Sequence, residues 1–273
     1  QDHGPLAEAE KHQLPYVVIL IIEPSWLRRG DFSLRHLQFI SHSMDAISEK
    51  FESSNVNIKT LYGEALAVFQ HLSKNFHIEH VMSHQESGTY ESWRRDTTIE
   101  KFFKEREIHW LQFQCNGVIR GILNRKGWDG LWYKHAGSVS LKNVVRTQKY
   151  IPFADCFLMP KMLQDSLREH PEHLQPAGER NAWKYLKTFA SERHQDYLTN
   201  ISKPGDSRFT NGRISPYLAW GNLSSRQVYQ FIKNHPNYSK QKKVFDAFLT
   251  RLKWRCHFIQ KFESEPEIQY QNM

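Results

Sequence analysis

The stretch Arg208-Phe209-Thr210-Asn211-Gly212-Arg213-Ile214-Ser215-Pro216-Tyr217-Leu218-Ala219-Trp220-Gly221 concentrates the residue types that bind anions. It reads as a small polar loop that runs into a helix. Backbone N–H groups at a helix N-terminus, together with hydroxyls and two arginines, suit a phosphate or a pyrophosphate. An ordinary helix cap with charged neighbours uses the same residues, and spacing alone leaves both readings open. Elsewhere the candidates are sparse. Cys115, Cys156 and Cys256 lie far apart with no CxxC pair, so neither a disulfide framework nor a zinc cluster is indicated, and a reducing, cytoplasmic compartment fits best. The 15 histidines read as scattered, without an HExxH motif, and no metal site is inferred.

The elements that must position these residues fall into two kinds. The N-terminus, Gln1 to Pro5, carries no targeting pattern and reads as cut rather than begun. A short helix spans Pro5 to Lys11. Tyr16 to Ile22 is a continuous apolar run bounded by Pro15 and Pro24, which predicts a strand buried on both faces, as in a parallel sheet. Helical spacing follows from Ser33 to Phe51, strand character from Val56 to Leu61, and helix from Gly63 to Asn75. Ile78 to Ser83 predicts a third strand, Thr89 to Arg106 a charged amphipathic helix, and Ile108 to Gln114 a fourth strand. Strands alternating with helices imply βαβ units and a doubly wound parallel sheet.

Residues 116–165 are rich in Gly, Trp and basic side chains without clear periodicity, and prolines punctuate the segment that follows. From Ala177 onward only helical patterns occur: Gly178 to Arg193, Ser224 to His235 with a serine cap, and the long Lys240 to Phe262. The expected fold is therefore α/β and then all-α. Residues 1–135 would form an α/β domain, 136–176 a connector, and 177–273 the beginning of a helical domain.

The chain has 273 residues, ample for a buried core, and its 13% aromatic content argues against disorder. The longest apolar stretch, Val17 to Ile22, falls far short of the roughly 20 residues that span a bilayer. Lys and Arg number 37 against 29 Asp and Glu, a net charge of +8 that favours polyanions, nucleic acid first, although a solvated basic face gives the same count. Arg226, Lys233, Lys240, Lys242 and Lys243 are candidate phosphate contacts.

The run Arg213 to Ser224, followed by Arg226-Gln227-Val228-Tyr229, resembles the flavin-domain signature of the DNA photolyase/cryptochrome family. Further matches occur in the family's order: Asp2-His3-Gly4-Pro5-Leu6, His84-Gln85-Glu86 with Trp93-Arg94-Arg95-Asp96, Gly178-Glu179, and Leu252-Lys253-Trp254-Arg255. The resemblance implies an α/β antenna domain followed by a helical FAD-binding domain. It implies a deoxyribodipyrimidine photolyase-type flavoprotein, in which excited reduced flavin passes an electron to a pyrimidine dimer flipped out of UV-damaged DNA. By this resemblance Tyr197, Thr210, Asn211, Gly212, Arg213, Ile214, Ser215 and Arg255 hold FAD, with Ser215 and Arg255 at its phosphates. An antenna chromophore is also implied, its identity not legible, with Glu86 near that region.

Two departures bear on repair. Where many photolyases carry a Trp and, three residues on, a Glu facing the lesion, this chain has Phe248 and Arg251. With Trp254 these form the expected lesion-binding set. Phe248 can stack on a base, but Arg251 cannot act as a carboxylate, which favours another lesion or a cryptochrome-type photoreceptor. The family's opening strand and its later flavin-contacting helices have no counterpart here. The chain alone is thus expected to form one wall of an FAD site, to retain FAD poorly and to be inactive. Oligomeric state is not readable.

Overall fold

The chain begins with a helix, α1 (Gly4–His12), started by Pro5, and then enters the aliphatic strand β1 (Val17–Ile22). The computed structural model describes residues 1–270; the last three residues of the expected 177–273 segment lie outside them. After a single turn, α2 (Pro24–Leu27), three crossover units follow: α3 (Leu34–Phe51) to β2 (Asn57–Tyr62), α4 (Ala65–Asn75) to β3 (His80–His84), and α5 (Tyr90–Glu105) to β4 (His109–Phe113). Each strand runs parallel to its partner. β1 pairs with β2 in the register Ile19 to Lys59, and β3 pairs with β4 in the register Met82 to Leu111.

The strands are parallel, as expected, and pair two by two. β1–β2 and β3–β4 are separate two-stranded sheets among the described residues. Their side chains still serve common cores. Ile21 and Val81, one from each sheet, pack on the cluster of Ala65, Ile99, Phe103 and Ile108, while Ile22 and Leu20 face Leu37 and Ile40 of α3 on the other side. β1 is thus covered on both faces, as its aliphatic run predicts, yet Val17 to Ile21 are only half-buried because one edge of the strand is free. α1 lies against β3 and β4, where His3 meets His84 edge to ring and His12 meets His80 at a tilt. His80 and His84 stand four residues apart, but on a strand that spacing separates them by about 13 Å, too far to share a metal ion.

Two helices escaped the periodicity reading: α6 (Trp128–Gly137) and α7 (Lys161–Arg168). α6 carries Trp128, Trp132 and Ala136 into the same buried cluster as Leu186, Val228 and Phe245, so that core extends across the expected boundary at residue 135. The connector between α6 and α7 runs extended along β2, where Tyr62 N donates to Phe157 O at 2.7 Å and Asn57 Nδ2 to Ile151 O at 2.5 Å.

The rest is helical: α8 (Glu179–Thr188), continued by a π-helical turn over Phe189–Arg193, then α9 (Tyr197–Asn200), α10 (Pro204–Thr210), α11 (Ser215–Ala219), α12 (Ser225–Lys233) and α13 (Lys242–Ser264). Ser224 caps α12 as expected, and its own N–H donates to Gln227 Oε1 at 2.9 Å. The chain's first residues tie into this half. The buried carboxylate of Asp2, on a left-handed backbone (φ 60), accepts from Ser224 Oγ at 2.5 Å, from Leu141 N at 2.8 Å and from the Arg226 guanidinium.

Candidate cofactor site on the helical half

The segment between α10 and α11 forms a tight corner. Thr210 ends α10 and its hydroxyl donates back to Asp206 O at 3.2 Å. Arg213 adopts φ 51, which turns the chain before Ile214 buries itself and Ser215 opens α11. Gly212 is required by its neighbour. A Cβ there would stand 2.6 Å from Phe248 Cε2, so only glycine admits the ring this close.

Polar side chains, Arg193 and Gln175, fasten the corner from both sides. Arg193, the last residue of the π-helical turn, donates to the Asn211 carbonyl and reaches Gly212 O at 3.5 Å, while holding Tyr185 O at 2.5 Å. Gln175 Nε2 donates to Arg213 O at 2.6 Å, and Arg213 Nη2 donates to Gln175 Oε1 at 3.3 Å. Arg193 and Gln175 were missed by sequence reasoning. The only signal was an arginine that closes an amphipathic pattern on its buried side; a π-helical turn, which swings that residue inward, has no periodicity of its own.

Two buried polar atoms of the corner have no hydrogen-bond partner, Asn211 Oδ1 and Arg213 Nε, and a third, Arg255 Nη1, is orphaned at the far end of α11. Orphans of this kind are uncommon in folded chains. Two guanidinium N–H groups and an amide oxygen fit a group with phosphate acceptors and a hydroxyl donor, such as a dinucleotide. Ser215 is exposed beside them with a free hydroxyl face. Arg255 reaches the segment from α13, where its Nη2 donates to Leu218 O at 2.9 Å, the opposite end of α11 from Ser215.

Thr210 to Ser215 therefore form one continuous corner, and Tyr197 stands behind it rather than on it. Tyr197 is buried against Phe189 (5.4 Å between centroids) and Phe248 (6.0 Å), and burial pushes its hydroxyl pKa up. Phe248 is core: it is 7% exposed, lies 4.4 Å from Phe189 and covers Gly212. The structure offers no open face of this ring, because the corner closes over it. Arg251 and Trp254 sit instead on the outer face of α13, with the guanidinium 4.5 Å from the Trp254 ring centroid and Trp254 44% exposed. The three expected lesion residues are thus split between core and surface.

The basic candidates divide as well. Arg226 is committed to Asp2, and Lys233 and Lys242 both pair with Asp246. Lys240 and Lys243 are exposed and take part in no ion pair among the described residues. In the α/β half, Arg95 bridges Glu23 at 3.1 Å, Glu86 at 2.5 Å and Asp96 at 2.8 Å, so Glu86 belongs to an ion cluster at the carboxyl ends of the strands. No helix among the described residues is long and apolar enough to cross a membrane.

Residues 1–121 match the family model of DNA photolyase. No curated protein matches the chain in sequence. Among solved structures, a cryptochrome from Synechocystis superposes with a TM-score of 0.77 at 16% identity, over 99% of this chain and 60% of that one. A bacterial class III photolyase from Agrobacterium tumefaciens gives 0.75 at 16% identity, over 99% and 58%. An archaeal photolyase from Sulfolobus tokodaii, solved with two FAD molecules, gives 0.71 at 17% identity over the same shares. At these identities the likeness is one of fold, α/β and then helical. The chain spans about three-fifths of the length of the structures it matches. The resemblance to the photolyase/cryptochrome family thus covers the α/β half by sequence and nearly the whole chain by fold.

Proposed function

We propose that the chain is the α/β half and the front of the helical half of an FAD-dependent photolyase-like flavoprotein. The observation that carries this reading is the corner 211–215 with its two unpartnered polar atoms, Asn211 Oδ1 and Arg213 Nε, at the position where the family resemblance puts the flavin phosphates. Arg213 and Arg255 would neutralise a diphosphate, Ser215 and the adjacent backbone would donate to it, and Asn211 would accept from a ribose hydroxyl. Arg193 and Gln175 act on the cofactor indirectly, by fixing the carbonyls of Asn211, Gly212 and Arg213. When bound, FAD supplies light-driven electron transfer, to a pyrimidine dimer in UV-damaged DNA if the parent protein is a photolyase. An antenna chromophore is part of the same reading, its identity open.

A photoreceptor without repair activity is favoured by one observation. Arg251 stacks on Trp254 at the surface where a carboxylate is needed, and Phe248 is sealed in the core. Either way this chain alone forms one wall of the flavin site.

The test is titration of the purified 273-residue chain with FAD, followed by flavin fluorescence. Weak saturable binding, lost on desalting and weakened further in Ser215→Ala and Arg255→Ala, is expected. Affinity unchanged in both variants overturns the residue assignment, and flavin that survives desalting at full occupancy overturns the one-wall reading. Illumination of the full parent protein with dimer-containing DNA then separates repair from signalling.

A further inference from the structure

The sequence holds two Asn-Gly dipeptides, Asn116-Gly117 and Asn211-Gly212. In such a pair the backbone nitrogen of the glycine can attack the side-chain carbonyl carbon of the asparagine, because glycine brings no Cβ to hinder the approach. The structure treats the two pairs differently. Asn116 and Gly117 both sit on left-handed backbone (φ 56 and 69), inside a turn closed by Val118 N donating to Cys115 O at 3.1 Å. The Asn116 amide is anchored, its Nδ2 donating to Cys115 Sγ at 3.0 Å, and Gly117 O accepts from Trp128 Nε1 at 3.2 Å.

Asn211 is held by neither device. It lies just past the end of α10 on extended backbone (φ −82, ψ 162), and its Oδ1 has no hydrogen-bond partner. The Gly212 N–H donates to no backbone carbonyl among the described residues. The Asn211 carbonyl, the other half of that same peptide unit, accepts from the Arg193 guanidinium. A cation bonded to an amide oxygen favours the deprotonated amide, whose charge falls largely on that oxygen. Arg193 thus makes the Gly212 nitrogen more acidic and a readier nucleophile.

We infer that Asn211 is a self-modification site, converted through a cyclic imide to aspartate and isoaspartate, with Arg193 as the activating group. The Gly212 nitrogen loses its proton and bonds to Asn211 Cγ. The Cγ–Nδ2 bond breaks, and the amide nitrogen leaves with that proton as ammonia. Water then adds to either imide carbonyl and opens the ring to a carboxylate. No oxidant, metal or second enzyme is needed. The product adds a negative charge to a corner fastened by Arg193 and Arg213, so each conversion weakens the corner for an anionic ligand. The inference needs no bound cofactor and does not rest on the flavin reading.

The test ages the full chain in mildly alkaline buffer made with water labelled by heavy oxygen. Digestion with trypsin in ordinary water then releases the peptides 209–213 and 107–120, which are weighed by mass spectrometry. Each conversion during ageing exchanges an amide nitrogen for a labelled oxygen, so conversion during digestion is not counted. In the folded chain Asn211 is expected to convert roughly tenfold faster than Asn116, a smaller factor than a buried oxyanion donor supplies. In urea the two rates should converge. Arg193→Gln is expected to slow Asn211 several-fold and to leave Asn116 unchanged, and Asn211→Gln should silence peptide 209–213. A rate at Asn211 equal to or below that at Asn116 in the folded chain overturns the inference, as does a ratio that urea leaves unchanged. Faster conversion of Asn211 in folded Arg193→Gln overturns it too, by making Arg193 a restraint on the loop rather than its activator. The comparison of folded and urea-unfolded wild-type chain keeps the test decisive if Arg193→Gln fails to fold.

Discussion

Gly212→Ala is the substitution with the clearest expected cost. Its new Cβ would lie 2.6 Å from Phe248 Cε2 and 3.1 Å from Cζ, where ordinary carbon contacts are about 3.5–4.0 Å. The ring must move by about 1 Å, yet it is held by Phe189 and is 7% exposed. Overpacking of this kind costs about 1–3 kcal/mol. Gly212 lies outside the left-handed region, so alanine returns about 0.4–1 kcal/mol by restricting the unfolded chain. The net expectation is a loss of roughly 1–2 kcal/mol, read as a lower urea midpoint at unchanged slope. In a Phe248→Leu background the Cε2 and Cζ atoms are gone. There the alanine should become neutral or slightly stabilising, a coupling of at least about 1 kcal/mol between the two sites. Flavin affinity should fall in the single variant and recover in the double one, because the ring and the corner move together. Equal cost of Gly212→Ala in both backgrounds would refute the contact and with it the placement of Phe248 in the core.

Removal of the Asp2 carboxylate should be felt far along the chain. Asp2→Ala leaves Arg226 unpaired in a buried setting and is expected to cost about 3–5 kcal/mol in urea unfolding. Burial alone would raise the Asp2 pKa, but its bonds from Arg226, Ser224 and Leu141 N outweigh that and hold it below 3.8. Its contribution is therefore complete above that pH and is lost as the pH falls through the lower folded value; the acid limb of a stability profile should flatten in Asp2→Asn. His84 has the opposite chemistry and the same direction. Burial holds its ring below 6.5, so the unfolded chain takes up the proton first and stability declines below that pH; His84→Phe should remove this slope. Arg193→Gln frees the Asn211 and Gly212 carbonyls, and proteolysis between 208 and 214 should quicken several-fold while helix content is retained.

Much of this was legible because burial leaves periodic marks. The aliphatic run 17–22 gave β1, and the three βα alternations after it gave strands within two residues of where they form. Ser224 announced α12 because a cap acts locally. What was not legible was non-local. Which strands pair, β1 with β2 and β3 with β4, depends on segments far apart in the chain, and no local pattern records it. α6 was hidden because Trp128, Trp132 and Ala136 face one core while glycines interrupt the pattern between and after them. At the candidate site, residue identities pointed to the corner, but Phe248 looks the same in sequence whether its ring is a platform or a plug. Its fate was decided by Gly212 and Phe189, two contacts from separate segments.

The π-helical turn at 189–193 gives the corner an unusual sensitivity to chain length. In an α-helix each residue advances about 100° around the axis. Deletion of any one residue from this turn would let α8 continue as regular helix, with little loss of helicity, while rotating Arg193 away from Asn211 and Gly212. A shortened relative would keep every element of the helical half and lose the clamp on its anion corner, so that insertions and deletions, rather than substitutions, would be the sharper record of whether that clamp is under selection.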